Sequence, residues 1–476
     1  MRFQAARSAL SVDRKRRPLL RFISTQVLTL ACITGAGCEL PASRPPTSGT
    51  NAFVIPSSPV ALETRRPEGK RATLATLLDH ARTQAPEMLV ADGFLALAEA
   101  EVVAARQVQP TNPTISLALG QRRQAGGVGL DAQVAVEQQV EIAGQRRKRR
   151  EAARRYEELS RLGIDVADRE VHVQVHRSFE QALLAEARQA LVVRVVEFDK
   201  ELLSMAQRRV EVGAESPFVL ELARARLILS ENDVTAATAR VEIMRFELAR
   251  VSGWQGELMP VGSLDRPQTI DDKPALLELA IKSSPVLQRA QARIDVARAR
   301  VDVARREAWP SPSVGVSYSH EGATSTPGNT NPASDIWMGT VSIPIPTFAR
   351  NQGAIARQRS ALKLEADRGR ATWIQFESTV ATAVAQMNSA AARVDALERE
   401  VVPAFERSLT ALRRAYEVGE LEFFKVAQAR EQLWTARREA LSARAEFYDA
   451  FAEVERWVGP LDVRGDAEKG ANDEAI

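Results

Sequence analysis

The feature that most constrains this chain is a pair of very long helical stretches, residues 145–209 and 351–416. Each is about 65 residues of helix-forming sequence, and at ~1.5 Å rise per residue each reaches about 100 Å. That exceeds any ordinary compact domain, so each stretch needs partners of comparable reach. The apolar residues say how they pack: Val195, Phe198, Leu202 and Met205, and again Val401, Phe405, Leu409, Leu412 and Tyr416, step by threes and fours. This spacing gathers them into one stripe suited to coiled-coil contact with a returning helix. Pro403 and Gly163 are expected to bend or loosen these helices locally.

The landmarks around the long helices occur twice. Pro110 and Pro310 lie 200 residues apart, Gln145 and Gln352 lie 207 apart, and Gly213 and Gly419 lie 206 apart. Each half begins with a helix carrying a short Pro-containing interruption, and a proline pair (Pro110 and Pro113, Pro310 and Pro312) stops it. A strand, a glycine-rich loop, a second strand, the long helix, a turn at "VGAESP" or "VGELEF" and a return helix follow. The predicted fold is mainly α with a small β part, a tandem helix-strand-strand-helix-helix repeat. Repeat 1 covers residues 73–253 and repeat 2 covers 273–458, with an inter-repeat linker at 254–272 and a polar tail at 459–476.

Two kinds of turn punctuate each repeat. Gly144, Gln145 and Arg146, and Arg350, Asn351, Gln352 and Gly353, lie where a strand gives way to a long helix. At the far end of those helices, Gly213 and Gly419 can take the positive φ of a C-terminal cap. Glu215 and Glu420 follow the two glycines, and Ser216 with Pro217 suits the start of the return helix.

The strands alternate. Ile115, Leu117 and Leu119 interleave with Ser116, Ala118 and Gly120; Val314, Val316 and Tyr318 interleave with Gly315, Ser317 and Ser319; Trp337, Gly339, Val341 and Ile343 interleave with Met338, Thr340 and Ser342. One-sided apolar strands fit a sandwich facing a soluble core, or a membrane barrel, whose tilted strands need about 9–11 residues. Export favours the barrel. Residues 1–37 read as a signal peptide, with a basic cluster from Arg14 to Arg17 ahead of an apolar run too short for a comfortable membrane span. Trp309 and Trp337, near opposite strand ends, suit an aromatic girdle, and "RRQAGGVG" and "GATSTPGNTNPASD" read as polar loops. Four strands cannot close a barrel, since about eight is the smallest found. Closure requires several protomers.

Small residues in "GAGC" precede Cys38, as at a bacterial lipoprotein site where the cysteine is acylated, although Gly35 stands where a large aliphatic residue is usual. Ordinary cleavage nearby is the alternative. Residues 38–72 then form an extended, Pro-rich segment. Cys32 and Cys38 are the only two cysteines, so no disulfide or thiolate metal site forms downstream.

Several function classes fall away. The net charge of +3 implies no global polyanion-binding surface, and "RRKRR" at 146–150, without interleaved aromatics, reads as a solvated helix face just below the membrane. No phosphate-cradling loop or nucleophile elbow occurs, so no enzyme activity and no cofactor are expected. "HVQVH" puts His172 and His176 one helical turn apart, but no third ligand is evident. The pair reads as a solvated helix face, and no metal site is expected.

In their duplicated order, "EIAGQRRKRREAA", "PIPTFARNQGAIARQRSAL" and the two "VG" turns resemble the outer-membrane factor (TolC) family of tripartite efflux pumps. The Gly-Gln-Arg and Arg-Asn-Gln-Gly boxes resemble its heavy-metal, cobalt-zinc-cadmium branch. The resemblance implies a homotrimer, each protomer giving four strands to a twelve-stranded outer-membrane barrel continued by a periplasmic α-helical tunnel. It implies passive conduction of substrate, heavy-metal cations in that branch, from periplasm to exterior. It also implies docking to a periplasmic membrane-fusion adaptor and an inner-membrane RND transporter driven by protons. Gly213, Glu215, Ser216, Gly419 and Glu420 would then form the periplasmic tip where the adaptor docks. Many members carry aspartates six and nine residues after the second glycine; this chain has Lys425 and Gln428 there, so an acidic ring does not carry over. Lys425 either faces the axis as a cationic ring at the aperture or is a solvated lysine. Two other readings are a channel of the same family for drugs or secreted polypeptides, and an exported coiled-coil scaffold without a barrel.

Overall fold

The computed structural model describes residues 70–460, apart from 125–126, 265–266, 270–272 and 327–328. The signal peptide, Cys38, nearly all of the Pro-rich segment and the tail beyond residue 460 lie outside the described residues.

A short strand β1 (Lys70–Ala72) leads into α1 (Leu74–Gln84) and α2 (Pro86–Ala105). Strands β2 (Thr114–Gln124) and β3 (Gly127–Gln139) precede α3 (Gln145–Glu211), α4 (Pro217–Ser252) and a short β4 (Leu258–Pro260). The plan repeats as α5 (Lys273–Ser283), α6 (Pro285–Arg306), β5 (Ser313–Glu321), β6 (Thr324–Thr326), β7 (Asn329–Asn331) and β8 (Ser334–Ser342). It ends with α7 (Gln352–Ala396), a π-helical turn (Leu397–Val401), α8 (Val402–Glu417) and α9 (Phe423–Val458). The Pro-containing interruptions resolve identically in both halves: Pro86 and Pro285 open α2 and α6, and the preceding Ala85 and Ser284 are extended, as the pyrrolidine ring demands.

Four strands form one antiparallel sheet in the order β2-β3-β5-β8, so the central β3–β5 pairing joins the two repeats. Its register sets Leu117, Val134, Tyr318 and Trp337 abreast in one row and Ile115, Val136, Val316 and Gly339 in another. The opposite face carries Ser116, Ala135, Ser317 and Met338. Leu117 and Trp337 are 70% and 72% exposed, so no described part of the chain covers the apolar face. A sandwich would have to cover it, and that alternative falls.

The helices inherit the strand order. Packing runs α2–α3–α6–α7, the same sequence as β2-β3-β5-β8, because each of these helices adjoins its own strand along the chain. Farther along, α3 packs on α4 and α9, and α9 packs on α7 and α8. Successive apolar clusters line these contacts. One is built on Leu77, Val175, Phe179 and Leu248, another on Leu184, Met387 and Phe451, and a third on Leu202, Tyr416, Phe423 and Val426. No described helix is long and apolar enough to cross a membrane.

Four details depart from the sequence reading. "RRQAGGVG" is mainly strand, with Arg122 opposite Gly129 and Arg123 opposite Val128, because β2 and β3 stay paired as far as Gln124 and Gly127. The polar stretch after β5 contains a small hairpin, Ser325 opposite Thr330. β1 pairs in parallel with β4, Lys70 opposite Leu258 and Ala72 opposite Pro260, tying the entry to repeat 1 to the inter-repeat linker. α3 runs unbroken through Gly163, whereas the second long helix is disturbed at its proline. Pro403 has no N–H to give, and just ahead of it the Val402 N–H reaches back five residues to the Leu397 carbonyl.

Candidate functional site

The strand-to-helix junctions are built twice with the same parts. Gly144 has φ 76° and Asn351 has φ 56°, both left-handed, and Asn351 is the only non-glycine residue with positive φ among the described residues. Asparagine is the residue other than glycine that best tolerates this region, which is why the two repeats differ here without differing in backbone. The following glutamine then caps backward. Gln145 Oε1 accepts from the Ala143 N–H at 2.9 Å, and Gln352 Oε1 accepts from the Arg350 N–H at 2.7 Å. Further bonds fasten the junction. Asn351 Nδ2 donates to the Ala304 carbonyl at 2.9 Å, Arg146 to the Arg106 carbonyl at 2.9 Å, and Arg350 to the Pro346 carbonyl at 3.0 Å. Gly353 sits in the first turn of α7.

The basic run at 146–150 is less free than the sequence suggested. Lys148 pairs with Asp302 of α6 at 3.1 Å and with Glu151 at 2.9 Å, and Arg149 holds Glu141 in a fork whose longer arm is 2.9 Å. These hydrogen bonds raise both cations above their ordinary pKa. Arg147 and Arg150 instead line a cleft with Arg154 and Glu158. Lys148 and Arg149 therefore fasten strand end, α3 and α6 together.

At the other end of the long helices the two hairpin turns match. Gly213 and Gly419 have φ 73° and 87°. The Ala214 N–H reaches the Arg209 carbonyl at 2.8 Å, and the Glu420 N–H reaches the Ala415 carbonyl at 2.9 Å, the six-to-one closure of a glycine-capped helix end. Ser216 caps α4 by accepting from the Phe218 N–H at 3.4 Å. Arg209, which the sequence reading passed over, links the two turns. It pairs with Glu215 at 3.5 Å, donates to the Tyr416 carbonyl at 2.7 Å, and lies 4.7 Å from the Tyr416 ring centre. Lys425 and Gln428 are exposed in the first turns of α9. Val212 and Val418 beside the two turns, and Phe218 and Phe424 at the starts of α4 and α9, are also exposed, apolar residues the sequence reading did not single out.

Between junction and tip, the structure corrects the reading of "HVQVH". The pair faces the carboxylate of Glu455 on α9, 279 residues from His176, and is not a solvated face. His176 Nδ1 lies 2.8 Å from Glu455 Oε2, and His172 Nε2 lies 3.9 Å from Glu455 Oε1. Glu455 is 1% exposed. Burial works to raise its pKa, and the contacts and charges of His176 and His172 together outweigh burial and hold the carboxyl below its usual range. No spacing along the sequence could have marked Glu455, since only the α3–α9 packing brings it here.

An open antiparallel sheet, apolar on its uncovered face and continued helix by helix into a wall about 100 Å long, defines a class: the subunit of a membrane β-barrel extended by a helical tunnel. The model of the outer membrane efflux protein family matches residues 276–460, the second repeat. The chain is similar to the cobalt-zinc-cadmium resistance protein CzcC of Cupriavidus metallidurans, 26% identical over 325 residues, which are 67% of this chain and 75% of that protein. Among solved structures it is similar to CusC, with a TM-score of 0.66 at 16% identity over 82% of this chain and 92% of that one. The open-state MtrE channel of Neisseria gonorrhoeae gives 0.63 at 19% identity over 81% and 88%. Members of this family are passive outer-membrane channels with a periplasmic helical extension, not enzymes.

Proposed function

We propose that three copies of this chain close into an outer-membrane channel that passively exports heavy-metal cations as the outer component of a tripartite RND-type system. The edges of the sheet carry the proposal. Among the described residues β2 pairs only with β3 and β8 only with β5, so a lone protomer in lipid would leave a row of backbone groups unsatisfied on each side, at several kcal/mol apiece. The edge helices tell the same story. α2 exposes Leu89, Phe94 and Leu97, and α7 exposes Trp373 and Ile374. Joining β8 and α7 of one copy to β2 and α2 of the next covers both, and three copies give twelve strands. The apolar face then meets lipid, and the face bearing Ser116, Ser317 and Thr340 lines the lumen.

The cargo follows from similarity to CzcC, a cobalt-zinc-cadmium resistance protein. In this reading the tip built on Gly213, Glu215, Ser216, Gly419 and Glu420 docks a periplasmic membrane-fusion adaptor, which couples the tunnel to an inner-membrane RND transporter. Three copies of Lys425, with Gln428 one turn on, ring the aperture. The test is deletion of the gene followed by growth on graded zinc, cadmium, cobalt and copper, with antibiotics alongside. Sensitivity to a metal, rescued by the intact gene, is expected. Sensitivity to antibiotics alone would overturn the metal cargo while leaving the channel.

A further inference from the structure

We propose that His172, His176 and Glu455 form a resident binding site for a divalent transition-metal ion of the zinc type, set in the helical wall and stapling α3 to α9. The proposal does not depend on which cargo the channel carries. Four observations converge on it.

The first is placement. Residues four apart on a helix share a face, so both imidazoles of α3 point toward the same strip of α9. One ligand atom from each of the three residues falls within 4.8 Å of the others. Zinc ligands at about 2.0–2.2 Å from the ion stand roughly 3.3 Å apart in a tetrahedron, so side-chain rotation alone closes the site.

The second is the support behind His176. Its Nδ1 faces Glu455, and its Nε2 lies 3.8 Å from Glu180 Oε1. A metal-bound imidazole almost always gives its other N–H to a carboxylate or carbonyl, which fixes the tautomer and strengthens the ligand. Glu180, on the next turn of α3, stands where that acceptor is needed. Phe451 abuts the His176 ring edge-on, with centres 5.7 Å apart at 89°, and limits its rotation.

The third is shielding. The His172 and His176 side chains are mostly covered, and Glu455 is almost wholly so. Holding a carboxylate away from water is costly unless it is paired, and a cation between it and two imidazoles pairs it fully. Arg169 is the nearby competitor, but its guanidinium donates to the main-chain carbonyl of Glu455 at 3.3 Å rather than to the carboxylate.

The fourth is donor chemistry. Two imidazoles and one carboxylate suit zinc, cobalt, nickel or copper, whereas calcium and magnesium require mostly oxygen. Three protein ligands leave one position for water. The chain has only four histidines, so two on one helical turn opposite a buried glutamate take half of its imidazole donors.

The experiment uses the purified full-length channel, carried through on a tag without histidine, freed of metal and titrated with zinc against a chromophoric chelator. Cobalt visible absorption serves as a second readout. One ion per protomer is expected, with His172→Ala and Glu455→Gln each weakening binding by at least about tenfold. His320→Ala, in the barrel, should bind as wild type. Zinc should also slow amide exchange in α3 and α9 around the trio in wild type but not in His172→Ala, a readout that survives if Glu455→Gln fails to fold. The proposal is overturned if folded wild type binds no stoichiometric ion, or if His172→Ala binds as wild type. In either case the trio is a hydrogen-bond network and nothing more.

Discussion

Arg430→Met should loosen the lower tunnel wall far more than an ordinary surface change. Arg430 of α9 pairs with Asp199 of α3, and the two side chains are only 9% and 2% exposed. They sit beside the apolar cluster that holds Leu202, Met205, Val426 and Leu433. Methionine fills most of the arginine stem's space, so packing is largely kept while the charge is lost. Asp199 is then a buried carboxylate without its cation, and breaking a buried pair from one side costs about 3–5 kcal/mol. At about 1.4 kcal/mol per factor of ten, local opening should rise roughly 10²- to 10⁴-fold. Hydrogen exchange read by mass spectrometry on peptides spanning residues 195–205 and 426–433 measures that opening directly. Arg430→Met with Asp199→Val removes both charges, and replacing a buried pair by apolar residues is often neutral or better, so protection should largely return. The reasoning is wrong if the single variant exchanges like wild type, or if the double variant is as loose as the single.

Gly144→Asn should leave channel yield and heat resistance nearly unchanged, since Asn351 already occupies the matching position, whereas Gly213→Ala should cost about 1–2 kcal/mol from the left-handed backbone alone and speed proteolysis at the tip. Tyr416 is wholly buried, and burial, with Glu215 adding to it, raises its phenol above the usual pKa. A raised pKa in the folded state means that this contribution is complete below the unfolded value of about 10 and is lost as pH climbs through the folded one, so alkaline loosening of the tip should fade in Tyr416→Phe. Because the Tyr416 hydroxyl meets no hydrogen-bond partner among the described residues, the same variant should be neutral or stabilising at pH 7, as read by thermal denaturation. Lys425→Asp should raise the cation conductance of the trimer in planar bilayers and lower its anion preference; unchanged current and selectivity would put Lys425 on the docking surface or in solvent.

The sequence by itself determined the repeat, the strand-to-helix junctions and the hairpin turns. These are written in local chemistry: prolines that stop helices, glycines or asparagine where φ must be positive, and stripes of Val, Phe and Leu at helical spacing. The Gly144 and Asn351 junctions show how far that reaches, for one backbone turn is legible in two different residues. What only the tertiary structure decided are contacts between elements hundreds of residues apart. Strand order placed β3 beside β5 and left the apolar face uncovered, which removed the sandwich. Helix packing turned Arg209 into a link between two turns, set Asp199 against Arg430, and brought Glu455 to a histidine pair that looked solvated. Periodicity reports which face of a helix is apolar, but the partner that covers it, and any polar group the partner carries there, is fixed only when the helices pack.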